Sequence, residues 1–255
     1  MIKVTDLYKE YKLSKKQQKE MASSSDVAIP VNKINFECHP GRVFSLLGPN
    51  GAGKTTTLRM ISTMLVPTAG TIEVCGLDAV NNANDVRRKI GFLTGSTGLY
   101  ERLTANEFLK YFADLNDVSK SDFEERKNHY YNLMDMHDFA NKKLGELSTG
   151  MKQKVNISRT MIHNPDVVVF DEPTSGLDVI TAENIIKLIK DCKTSGKTVI
   201  FSSHIMTEVD LLCDDLAIID KGNLVYQGEM TEFRKNMQAA TLTGEFIRII
   251  QENKA

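Results

Sequence analysis

The sequence is poor in cysteine: only Cys38, Cys75, Cys192 and Cys213 among 255 residues, and they stand far apart. Without a CxxC pair there is neither a zinc-ligand spacing nor a disulfide framework, and the thiols are expected to be buried and reduced, as in a cytosolic protein. Long apolar runs are missing too. None approaches the ~20 residues that span a bilayer, and the opening MIKVTDLYKE is too polar for a signal peptide. An excess of one charge is also lacking: 32 Lys and Arg face 33 Asp and Glu, a net −1 that gives no field to recruit nucleic acid or anionic lipid. Internal repeats and a heptad arm are absent.

What remains is 41% apolar and 25% charged, ordinary for a soluble globular protein. A chain of this length buries a sizeable core, as one large domain or a domain with a subdomain. Strand-like and helix-like pieces alternate. Val43 to Leu47 (VFSLL), Val167 to Phe170 (VVVF), Thr198 to Phe201 (TVIF) and Leu216 to Ile219 (LAII) are continuous apolar runs. Such runs separated by helices predict a parallel sheet covered on both faces. Lys54 to Leu65 reads as a helix, as does Val179 to Lys193, with Ala182, Ile185, Ile186, Ile189 and Cys192 on one stripe. From about Gly95 to His163 no strand-like run occurs, which predicts a mostly helical insertion. Leu13 to Ser25 is polar and serine-rich, and is expected to be a solvated loop between two early strands.

Two segments carry chemistry. Gly48 to Thr55 reads GPNGAGKT, a full match to G-x-x-x-x-G-K-[ST] between a strand and a helix. Its residues Gly48, Pro49, Asn50, Gly51, Ala52 and Gly53 let backbone N–H groups turn toward phosphate oxygens, with Lys54 on the terminal phosphates and the Thr55 hydroxyl, followed by Thr56, near Mg²⁺. Asp166 to Glu172 reads DVVVFDE. In open α/β sheets ligands sit beyond the carboxyl ends of strands. Asp171 is thus placed to hold Mg²⁺, and Glu172 to polarise the water that attacks the γ-phosphate of ATP. Without the phosphate loop, two acids there would read as a solvated strand end.

With these residues in view the chain resembles the ABC ATPase family over nearly its whole length. PTSGLD, after Glu172, looks like the family's D-loop, ending at Asp178, and FSSH (Phe201 to His204) like its switch segment, with His204 on the γ-phosphate. LSTGMKQK (Leu147 to Lys154) is similar to the signature LSGGQ: Ser148 and Gly150 match, while Thr149 and Met151 depart. The resemblance implies that this segment, including Met151, meets the nucleotide held by another copy, so that two domains sandwich two ATP molecules head to tail. Tyr11 looks like the aromatic that stacks on adenine. Gly95 falls where the family has a glutamine, and either a nearby hydroxyl, Ser96 or Thr97, substitutes for it or water fills the role. STGLYERLT together with LSTGMKQK resembles the sodium-efflux, Nat-type branch of exporters.

The resemblance implies an α/β P-loop fold with an antiparallel strand region at the N-terminus. The ATP-binding core is expected at 1–94 and 164–235, a helical subdomain at 95–163 and a C-terminal helix at 236–255. It implies ATP hydrolysis with Mg²⁺ and a separate membrane permease that holds the chain at the cytoplasmic face. The permease is expected to dock near Tyr100 to Phe112, where Thr104 and Glu107 form a capping box. Among rivals, soluble ABC ATPases of DNA repair or translation usually carry two motor domains or a coiled coil, and a simple P-loop kinase would lack the LSTG and FSSH segments.

Overall fold

The computed structural model describes residues 1–20, 25–94 and 100–253. In chain order its strands are β1 (Ile2–Lys12), β2 (Val27–Cys38), β3 (Val43–Leu47), β4 (Ala69–Val74), β5 (Leu77–Asp78), β6 (Ile90–Thr94), β7 (Val167–Asp171), β8 (Thr198–Ser203), β9 (Asp215–Asp220) and β10 (Asn223–Glu229). Its helices are α1 (Lys15–Glu20), α2 (Lys54–Ile61), α3 (Ala83–Lys89), α4 (Ala105–Leu115), α5 (Lys120–Met134), α6 (Thr149–Met161), α7 (Val179–Thr194), α8 (Met206–Leu212), α9 (Met230–Asn236) and α10 (Leu242–Glu252).

The strands form two sheets of different character. In β1 and β2 apolar residues are spaced with polar ones between them, so Ile2, Val4, Ile34 and Phe36 are buried while their neighbours are not. Such strands bury one face and pair antiparallel, here in the order β2-β1-β4-β5. In β3, β7 and β8 every residue is buried. They lie inside the second sheet, of order β10-β9-β3-β8-β7-β6, in which only β10 runs antiparallel to its neighbour. Alternate residues of these strands feed two cores. Val43, Leu47, Val168, Phe170 and Phe201 join the helical side with α4 to α7. Phe44, Leu46, Val167, Val169 and Ile200 join the side closed by α2 and the antiparallel sheet. The fold is thus the α/β P-loop arrangement, with the antiparallel region at the N-terminus.

Between β6 and β7 the described residues form α4, α5, α6 and two short 3₁₀ turns, as the absence of strand-like runs predicts. The capping box of α4 is present: Thr104 Oγ1 accepts the Glu107 N–H at 3.2 Å, and Glu107 Oε2 accepts the Thr104 N–H at 2.8 Å. Three expectations need correction. Helix α2 stops at Ile61, not Leu65, because Thr63 turns left-handed at φ 58° and Met64 N–H bonds back to Arg59 O. The polar Leu13 to Ser25 segment contains α1, whose Gln18 side chain donates to Leu13 O. The C-terminal 236–255 stretch is not one helix. Residues 237–241 separate α9 from α10, and the buried Glu245 carboxylate accepts the N–H groups of Gln238 and Ala239 there. Those N–H groups bond a side chain instead of a helical carbonyl.

Candidate nucleotide site

Three neighbouring parallel strands, β3, β8 and β7, end on the same side of the sheet, and each passes directly into a predicted site segment. The Gly48–Thr55 loop leaves β3 and turns into α2. Its conformation needs glycine at two close approaches. A Cβ on Gly48 would lie 2.3 Å from Ile219 O, and one on Gly53, at φ +113°, 2.0 Å from Pro30 O. Neighbouring backbones thus wall the loop in. Pro30, Asn50 to Thr56 and Glu172 line an open cleft of about 280 Å³.

Lys54 is 4% exposed, and its ammonium donates to Gly48 O at 2.7 Å and Pro49 O at 3.2 Å. Burial holds it below the usual lysine range, while Glu172 and Asp171 pull the other way. At the end of β7, Asp171 Oδ1 accepts hydrogen bonds from Thr55 Oγ1 at 3.1 Å and Ser202 Oγ at 2.8 Å. Clustered hydroxyl and carboxylate oxygens suit a hard divalent cation that retains water and phosphate ligands, so the donor set fits Mg²⁺. Glu172 adopts left-handed backbone, φ 50°. For a residue other than glycine this costs on the order of 1 kcal/mol, and its N–H is anchored by Ser202 O at 3.2 Å and Ser202 Oγ at 3.0 Å. Glu172 Oε1 consequently lies 3.9 Å from Lys54 Nζ and 3.4 Å from His204 Nδ1.

Thus Lys54, Thr55, Asp171, Glu172 and His204 meet in one place. Other predicted residues stand apart from that cleft. Ser148 caps α6 by accepting the Met151 N–H at 3.3 Å, and neither it, Gly150 nor Met151 lines the cleft. The Met151 thioether packs against the helical-side core. Asp178 caps α7 through Thr181 N at 2.9 Å and Thr181 Oγ1 at 2.8 Å, and a Cβ on Gly150 would lie 3.7 Å from its Oδ2. Tyr11, opposite Ala28 in β1, is 41% exposed, carries the Lys9 ammonium 5.2 Å from its ring centroid, and is not among the cleft-lining residues. Gly95, Ser96 and Thr97 lie outside the described residues.

Two participants escape sequence reasoning. Ser202 bridges Asp171 and the Glu172 N–H, and its signal is its place in FSSH. Glu208, in the first turn of α8, is buried and bonded to Thr174 and Ser203. Among the described residues, no helix is long and apolar enough to cross a membrane.

A family model described as ABC transporter matches residues 31–175. The ABC transporter ATP-binding protein NatA of Bacillus subtilis (strain 168) is 39% identical over 248 residues, 97% of each chain. A solved structure described as an ATP binding subunit of an ABC transporter matches with TM-score 0.86 at 25% identity, over 98% of this chain and 99% of that one. The ATP-binding cassette MJ0796, solved as a dimer in a post-hydrolysis state with ADP and Pi, matches with TM-score 0.79 at 25% identity, over 90% of this chain and 99% of its own.

Proposed function

This chain belongs to the ABC transporter family of ATP-binding subunits, which power transport, and we propose that it hydrolyses ATP at the Gly48–Thr56 cleft. The observation that carries the proposal is the Glu172 carboxylate beside both Lys54 and His204 at the mouth of the phosphate loop. The loop N–H groups and Lys54 hold the triphosphate, and Thr55 and Asp171 would hold Mg²⁺. A cation bound there would supply charge neutralisation of the phosphate oxygens. Glu172 orients the attacking water and accepts its proton, and His204 bonds the γ-phosphate on the other side. Catalysis is positioning plus electrostatic stabilisation. Phosphate release from ATP by the purified chain, dependent on Mg²⁺, tests this reading, and no release above the uncatalysed rate rejects it.

The signature segment supports a second copy as the source of the remaining contacts. Ser148 sits exposed at the start of the 13-residue α6, outside its own chain's cleft. A capped helix N-terminus facing outward suits the phosphate held by a head-to-tail partner, with Gly150 and Met151 beside it. Asp178, against Gly150, joins that surface. Tyr11 is assigned to the adenine. Export is the proposed direction. Sodium as cargo rests only on the likeness of STGLYERLT and LSTGMKQK to the Nat-type branch, since the transport path lies on the partner.

For the membrane permease we propose the face of α4. Tyr100, Tyr111 and Leu115 are exposed while Phe108 is buried beneath them, and the Tyr100 and Tyr111 rings meet edge to face at 5.8 Å. Leu115 also lines a cleft of about 570 Å³ that holds Arg87, Arg88 and Arg159. Arg159 makes no ion pair among the described residues, and burial lowers its pKa to about 10. A permease segment with an acidic side chain complements it. The variant Tyr100→Ala with Arg102→Glu should keep its fold and ATP affinity but lose about tenfold or more of its retention on permease-containing membranes. Sedimentation with such membranes measures this, and unchanged retention places the docking surface elsewhere.

A further inference from the structure

Outside the groups assigned to ATP, a second buried polar junction ties the site segments together. Glu208 is 9% exposed and makes no ion pair among the described residues. A buried carboxylate is costly unless its oxygens are bonded, and here each oxygen accepts from one hydroxyl. Thr174 Oγ1 donates to Oε1 at 2.5 Å, and Ser203 Oγ donates to Oε2 at 3.0 Å. Charge-assisted O–H···O⁻ bonds are the short and strong ones.

The places these hydroxyls occupy matter more than their number. Thr174 follows Glu172 by two residues, is 7% exposed, and its carbonyl accepts the Leu177 N–H at 3.2 Å on the way to Asp178. Ser203 immediately precedes His204, and its Oγ also accepts the Ile205 N–H at 3.0 Å, so the turn is held on both sides of the histidine. Ser202 already joins the ends of β7 and β8 at Asp171 and Glu172. Glu208 adds a second stitch further out, between the 174–178 loop and the His204 turn. An apolar side chain would pack α8 against these loops more cheaply than a buried carboxylate with no cation beside it. What the carboxylate adds is fixed direction at two bonds.

We propose that Glu208 is a positioning residue for ATP hydrolysis, holding the loop from Glu172 to Asp178 and the turn bearing His204 as one unit. The proposal rests on the hydrolytic reading above. It makes the register between Glu172 and His204 depend on the same loop that ends at Asp178. A second copy that presses on Asp178 therefore acts on both groups together through Thr174, Glu208 and Ser203.

The test compares wild type with Glu208→Ala, Glu208→Gln, Thr174→Val and Ser203→Ala in full-length chain, measuring phosphate release, affinity for a fluorescent ATP analogue and melting temperature. Glu208→Ala should lower kcat about 10–100-fold while the dissociation constant stays within about threefold, the split expected of lost transition-state alignment. Glu208→Gln can accept from one hydroxyl and donate to the other, and should recover kcat to within about fivefold of wild type. Adding Thr174→Val to Glu208→Ala should cost less than about twofold more, since the two act through one bond. If Glu208→Ala does not fold, Thr174→Val and Ser203→Ala carry the test, each lowering kcat about 3–10-fold at unchanged affinity. A kcat within about threefold of wild type in Glu208→Ala, or in both hydroxyl variants where that one does not fold, overturns the inference. So does a parallel loss of affinity and melting temperature that glutamine does not rescue. Wild type without hydrolysis overturns the hydrolytic reading and this inference with it, whereas wild-type hydrolysis that survives Glu208→Ala overturns this inference alone.

Discussion

Glu172→Gln is expected to keep nucleotide affinity but to slow phosphate release by about 10²–10⁴-fold, a barrier increase of roughly 3–5 kcal/mol. The amide has the shape of the carboxylate and can still orient water, but it cannot take the proton. Because the anchoring bonds of this position run through its backbone N–H to Ser202 O and Ser202 Oγ, the substitution leaves the turn intact. The loss therefore reads on chemistry and not on folding. Steady-state phosphate release within about threefold of wild type would remove Glu172 from the catalytic role.

Gly53→Ala acts earlier, on the loop itself. A methyl there would sit 2.0 Å from Pro30 O, at a backbone φ of +113°, so contact and conformation both resist it. The obstacle is backbone, not a flexible side chain, and the loop must shift to admit it. ATP affinity measured by titration calorimetry should fall about 100-fold or more, roughly 3 kcal/mol. Gly51→Ala is the comparison: φ there is +79°, with nothing within 4 Å of the new methyl. Only left-handed strain of about 1–2 kcal/mol applies, for an affinity loss of about tenfold. Equal effects of the two variants would contradict the claim that Pro30 walls the loop.

What the sequence makes legible is what lies in contiguous segments. The phosphate loop and the acids at the end of β7 each sit at the end of an apolar run, and parallel pairing brings such ends together, while His204 after β8 is singled out by the resemblance of FSSH to a switch segment. The parallel sheet is legible because its strands are continuous apolar runs, whereas the antiparallel region at the N-terminus is expected from the family resemblance alone. Glu208 was not legible. Its partners are Thr174, 34 positions before it, and Ser203, five before it, and no local pattern separates a buried carboxylate from an exposed helical one. Ser202 is hidden similarly, being joined to Asp171 by the register of β7 on β8. The early end of α2 depends on Thr63 turning left-handed, which residues 54–65 do not announce. The gap before α10 depends on Glu245 reaching back to Gln238 and Ala239. Tyr11 lies outside the lining of the phosphate-loop cleft, and its assignment to the adenine rests on the resemblance alone.

The central claim is that ATP is held between the Gly48–Thr56 loop of one copy and the Ser148–Met151 segment of another. Its most direct test is the mass of purified Glu172→Gln by light scattering, with ATP and Mg²⁺ and without. The variant binds nucleotide but cannot spend it, so the closed pair accumulates, and the account predicts twice the chain mass with ATP and the single-chain mass without. A single-chain mass at saturating ATP would contradict it.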